Sequence, residues 1–128
     1  MARSLNARLP KLKNYMKSTQ KYIRTSARKL RLIADAVRVL TPVKALESLK
    51  FVSKSAATPL YKAIKAALAN AKENHGIPAE RLIFKTLDIG EGATYKRYRA
   101  VSRGQGHSIM KRTAHIRVEL EEAHGTKN

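Results

Sequence analysis

Apolar residues recur along this chain with two different periods, and the change falls near Pro78. Before it, Ala27, Leu30, Ala34 and Val37 repeat at helical spacing. They predict a helix capped by Thr25 or Ser26 and running to about residue 40. Arg28, Arg31, Asp35 and Arg38 fall on another face of it. Thr41-Pro42 is a second start signal, with Thr as cap and Pro at the first helical position. It predicts a short helix over about 43–51 that buries Leu46 and Leu49. A third helix, about 56–74, places Leu60, Ile64, Ala67, Leu68 and Ala71 in one stripe. Pro59 is tolerated there because it falls in the first turn, and Gly76 suits a terminator. Ala66, Ala67, Ala69 and Ala71 leave room for another element to approach closely.

After Pro78 the period becomes two. Residues 82–89 are rich in strand formers. Ile116, Val118 and Leu120 alternate with Arg117, Glu119 and Glu121, as in a half-buried antiparallel strand. Between them lies a stretch with few apolar residues, and Gly104-Gln105-Gly106 near its middle predicts a tight reversal with positive φ. Residues 82–121 therefore read as one long β-hairpin, with an apolar base and a basic outer part. At ~3.3 Å per residue, the outer part projects about 30 Å. Upstream, residues 21–24 predict a short strand, and residues 1–17 show no apolar periodicity and predict an extended tail, disordered alone. The expected organisation is a basic tail over 1–20, one α+β domain over 21–122 that includes the arm at about 82–121, and a short tail over 123–128.

Charge sharpens this picture. The chain has 128 residues, with 27 Lys and Arg against nine acids, a formal charge of +18. Ten basic residues and no acid fall within residues 1–31. A second acid-free block, Gly92 to Val118, holds Lys96, Arg97, Arg99, Arg103, Lys111, Arg112 and Arg117. Self-repulsion of this size destabilises a small domain, so a polyanion is expected to neutralise it. An isolated two-stranded ribbon is marginal in water, and a cationic one needs a bound surface to order it. With no Cys, disulfides and thiolate metal sites are excluded. No apolar run is long enough to cross a membrane, and no signal-peptide core follows the basic start. The expected location is a bacterial cytoplasm rather than an organelle.

Candidates for catalysis dissolve on inspection. His75, His107, His115 and His124 show no metal-ligand spacing. Glu119, Glu121 and Glu122 read as solvated charges at a strand end. Gly104-Gln105-Gly106 lacks the third Gly and the following helix of a dinucleotide loop. No catalytic residue, metal or cofactor is expected. The basic clusters have a clearer use. Arg28 and Lys29 oppose the helix dipole at a cost of ~0.3–1 kcal/mol each. An external phosphate at that helix start reverses the sign. Tyr95-Lys96-Arg97-Tyr98-Arg99 interleaves rings that stack on unpaired bases with cations that take phosphates. As a strand it puts Tyr95, Arg97 and Arg99 on one face and Lys96 and Tyr98 on the other, which suits a crevice in folded RNA.

Several of these segments are familiar. The run from Ser26 to Asp35 (SARKLRLIAD) resembles the first-helix motif of large-subunit ribosomal protein twenty-two, a family universal across ribosomes. Ala69-Asn70-Ala71-Lys72-Glu73-Asn74 resembles the ending of a later helix in that family. Tyr95-Lys96-Arg97 and the run from Met110 to Ile116 (MKRTAHI) resemble the two strands of its long hairpin. The resemblance covers about Tyr22 to Leu120. It implies three helices on a small three-stranded antiparallel sheet, with a basic hairpin that threads large-subunit (23S-type) rRNA. It implies early assembly, a tip that lines the polypeptide exit tunnel beside ribosomal protein four, and contact there with the nascent polypeptide. Carried over by position, Lys96, Arg97, Lys111, Arg112, Thr113 and His115 contact rRNA, and Arg103, Gly104, Gln105 and Gly106 form the tip. Arg24, Ser26, Arg28, Lys29, Arg31, Tyr95, Tyr98 and Arg99 complete the expected rRNA-binding set. No membrane and no second copy of the chain is expected as a partner. Ala100 and Gln105 depart from the Pro and Arg common in the family. A DNA-bending protein with basic ribbon arms is the alternative, but such arms carry an apolar or Pro wedge, and residues 103–106 contain none.

Overall fold

A computed structural model of the chain describes residues 16–123. Of the expected tails over 1–20 and 123–128, residues 1–15 and 124–128 lie outside the described residues. The elements run β1 (Lys17–Ile23), α1 (Ala27–Val37), α2 (Pro42–Lys50), α3 (Ala57–His75), β2 (Leu82–Glu91), β3 (Tyr95–Ala100), β4 (Gly106–Lys111) and β5 (Ala114–Glu122). This is the expected α+β class.

The helices follow their apolar stripes. Ala27, Leu30, Ile33, Ala34 and Val37 are the buried residues of α1. It stops at Val37 rather than near residue 40. Thr41 precedes a proline, which disfavours helical backbone, and it is extended at φ −70° and ψ 154°. Pro42, Ala45 and Leu49 form the buried face of α2. Leu46, expected inside, is only half-buried, and Ala45 takes a buried position beside it. In α3 the predicted stripe is buried, joined by Ala63. Ala63, Ala67 and Ala71 lie four apart and let α3 rest closely on β1 and β5. Ala69, by contrast, is exposed. Gly76 ends the helix in a left-handed conformation (φ 63°), and its N–H donates to Lys72 O at 2.9 Å.

Three strands form one antiparallel sheet in the order β1-β5-β2. Ile116, Val118 and Leu120 of the central β5 are buried against the helices. On β2 the buried positions change from Leu82 to Leu87 and Ile89, from even to odd. A register shift between Phe84 and Thr86 accounts for the change of parity. The other sheet face is polar, with Thr19, Arg117 and Asp88 in one cross-strand row.

Strand β1 begins at Lys17, four residues before the predicted start. Residues 17–20 pair with 116–119 of β5, and only Ser18 of the whole strand is buried. A strand held by backbone pairing at a sheet edge leaves no apolar period to read. Its register shifts between Gln20 and Ile23, where Tyr22 takes a positive φ of 58°. That conformation is uncommon for a bulky residue. Its N–H donates to His115 Nδ1 at 3.1 Å, and the two rings meet edge-on with centroids 5.0 Å apart.

Residues 82–122 do not form one continuous ladder. Pairing between β2 and β5 ends at Glu91↔Ala114 and resumes as a separate two-stranded sheet at Tyr95↔Lys111. Three residues, 92–94, stand opposite two, 112–113, so the ladder breaks as at a bulge. The β3–β4 ribbon is exposed at every position. Its reversal centres on Arg103, before the predicted Gly104-Gln105-Gly106. Arg103 (φ 60°) and Gly104 (φ 70°) are the positive-φ pair, and Gly106 is not among them. Val101 N–H donates to Gln105 O at 2.9 Å and closes the loop.

Candidate nucleic-acid interface

The start of α1 and the root of the ribbon, far apart in sequence, converge on one cleft of about 300 Å³. Ser26 and Arg28 line it from α1, Gly92 and Thr94 from one side of the ribbon, and Arg112 and Thr113 from the other. Ser26 is the helix cap residue, extended at ψ 144°, and its side chain makes no capping bond. The first N–H groups of α1 therefore have no side-chain acceptor from their own cap. Glu91 is the acid in the lining. It lies 4.0 Å from Arg31, with both side chains largely exposed, so the pair contributes little to stability.

The ribbon joins the body through a tight junction. Gly92 N–H donates to Thr113 O at 2.9 Å, and Thr113 Oγ1 donates to Ala93 O at 2.6 Å. A Cβ on Gly92 would collide with Thr113 Oγ1 and press on His115 Cε1 at 3.1 Å. Gly92 is thus required by close approach, the usual meaning of a glycine inside a strand pattern. The sequence reading missed it, although that signal was present. We expect Gly92→Ala to destabilise the chain by about 1–3 kcal/mol through overpacking. Gly90→Ala, whose Cβ meets nothing within 4 Å, should change the urea midpoint little. Equal midpoints for the two variants would contradict the account of the junction.

Arg24 reaches the junction from the body. Its Nη1 donates to Arg112 O at 2.9 Å, and its guanidinium lies 5.8 Å from the Tyr95 ring centroid. Arg97 approaches the same ring at 5.9 Å. On the ribbon, Tyr95, Arg97 and Arg99 stand opposite Lys111, Ile109 and His107. That face is cationic. The other face pairs Lys96 with Met110 and Tyr98 with Ser108. Tyr98 is 81% exposed and free to stack. Lys29 is exposed on α1. Arg103, Gly104 and Gln105 are exposed in the reversal, and Gly106 opens β4.

Besides Arg24, several expected rRNA contacts make bonds within the protein. Thr113 is 2% exposed and its hydroxyl bonds Ala93, so it belongs to the junction. His115 is half-buried and accepts from Tyr22. Arg31 donates to Ile89 O from Nε at 3.3 Å and Nη2 at 3.1 Å. Arg38, not among the expected set, donates to Leu87 O at 2.8 Å. These two arginines occupy outward carbonyls along β2, and so blunt a sheet edge that could pair with another chain. Among the described residues no group of three or more His, Asp or Glu could hold a metal ion, and no helix is long and apolar enough to cross a membrane.

Fold and interface together define a scaffold with an uncovered cationic ribbon, whose unusual residues lie on that ribbon rather than in a pocket. The family described as ribosomal protein L22p/L17e matches residues 18–121. A protein named large ribosomal subunit protein uL22, from Mycoplasma mycoides subsp. mycoides SC, is 40% identical over 100 residues, covering 78% of this chain and 90% of that protein. The protein of the same name from Mycoplasma capricolum subsp. capricolum matches with the same identity and coverage. The chain belongs to the ribosomal protein L22p/L17e family, whose members are structural rather than enzymatic.

Proposed function

We propose that this chain binds large-subunit rRNA through its ribbon and the start of α1, and that the ribbon reaches the polypeptide exit tunnel. Family membership makes it a structural constituent of the large ribosomal subunit. The observation that carries the finer reading is the ribbon itself. All twelve residues of β3 and β4 are exposed, and neither strand has a core of its own. Cations and tyrosines on such a ribbon need an external polyanion to order it. The cleft at its root adds Arg28, Arg112 and the α1 N–H groups as a phosphate site. The tip, Arg103 to Gly106, then lines the tunnel wall near ribosomal protein four and meets the nascent polypeptide. By holding separate rRNA segments with body and ribbon, the chain also aids early assembly.

Hydrogen exchange tests the ordering. Amides of residues 95–111 should exchange freely in the free chain and become protected in the large subunit, whereas α3 is protected in both. Strong ribbon protection in the free chain would contradict it. A map of large subunits containing this chain tests the placement. The tip should lie at the tunnel wall, and a tip at the subunit surface would remove the tunnel role.

A further inference from the structure

The outward face of α1 carries a feature the ribbon does not explain. Leu32 is 62% exposed in the middle of a helix whose other outward positions are polar or small. It lines an open groove of about 300 Å³ together with Lys29 and, from the loop entering α3, Lys54, Ser55 and Ala56. Ala56 is 3% exposed and anchors the loop in the core, so Leu32 supplies the apolar surface of the groove. Both ionisable groups in its lining are cations. A second groove shares Lys29 and Leu32 and adds Arg28. Its one acid, Asp35, is already bonded to Arg38 at 2.8 Å.

A ligand for this groove must be apolar over a flat surface and anionic at its margins. An unpaired nucleotide has that chemistry, and unpaired bases are what proteins reach most readily on folded RNA. We infer that Leu32, Lys29 and Lys54 hold an unpaired base of rRNA, with the base against the Leu32 methyls and its flanking phosphates at the two lysines. The inference rests on the rRNA binding proposed above and adds a contact made by the helical body. An acidic, apolar peptide is the competing occupant. The +18 charge of the chain and the purely cationic margins match the denser charge of RNA.

The test uses the full chain on complete large-subunit rRNA, with no other ribosomal protein present. Leu32→Ser should weaken binding about five- to tenfold, the low end of what an aromatic stack contributes. It should also expose one unpaired nucleotide to base-modifying reagents. Leu32→Phe should keep that nucleotide protected. Val39→Ser, at an 86% exposed position outside both grooves, should bind as the wild type does. If Leu32→Ser binds rRNA normally, the inference is overturned and the rRNA binding stands. If its defect appears only when other ribosomal proteins are added, the occupant is a protein segment. If the wild-type chain itself does not bind, the reading under Proposed function falls as well.

Discussion

Raising the salt from 50 to 200 mM should weaken binding of this chain to large-subunit rRNA about 10³–10⁵-fold, as for a protein that neutralises about six to ten phosphates. The ribbon is the main source of that dependence. Lys96, Arg97, Arg99 and Lys111 are exposed on β3 and β4, and Arg112 is exposed at their root. None makes an ion pair in the free chain: the pairs among the described residues join Arg31 with Glu91, Arg38 with Asp35 and Arg117 with Glu119. Replacing all five by alanine should flatten the logarithmic salt slope by about one unit per lost phosphate contact. The same replacement should leave the urea midpoint almost unchanged, because exposed surface substitutions away from the core rarely exceed about 0.5 kcal/mol. An unchanged slope would show that the ribbon is not the rRNA-binding surface. A lowered midpoint would show that the ribbon supports the body.

Ile116→Ala should cost about 2–5 kcal/mol, a large share of the stability of a small domain. Ile116 is fully buried on the central strand, between Gln20 of β1 and Ile89 of β2. Truncation leaves a cavity beneath α3 that neither neighbouring strand can close without shifting register. Ile109→Ala provides the contrast. Ile109 lies opposite Arg97 on the ribbon, with no body element against it. Its loss should change the unfolding free energy by less than about 0.5 kcal/mol. Similar costs at the two sites would mean that ribbon and body share a core, against the separate sheets described here.

The family resemblance carried by Ser26 to Asp35, Tyr95 to Arg97 and Met110 to Ile116 agreed with the comparisons. The chemistry of single positions was less legible. Thr113 and His115 sit inside a motif read as rRNA-contacting, yet their side chains bond Ala93 and Tyr22. Arg31 and Arg38 look on a helical wheel like solvated charges. Their use as caps on β2 carbonyls depends on where α1 comes to rest, about 50 or more residues from those carbonyls in sequence.

What the sequence determined by itself is whatever depends on neighbours within a few residues. The inward stripes of α1 and α3, the alternation of β5, the glycine stop at Gly76 and the acid-free block of the ribbon all follow from spacing and residue type. Tertiary structure decided what depends on pairing across the chain. Residues 17–20 became a strand only because β5, about a hundred residues later, offers them an open edge. The break between the two sheets was set by the close approach of Gly92, Thr113 and His115. The tip turned at Arg103-Gly104, where strand register places it, rather than at the pair of glycines. Local periodicity records which face of an element is apolar, but it carries no record of the partner that the face or edge will meet.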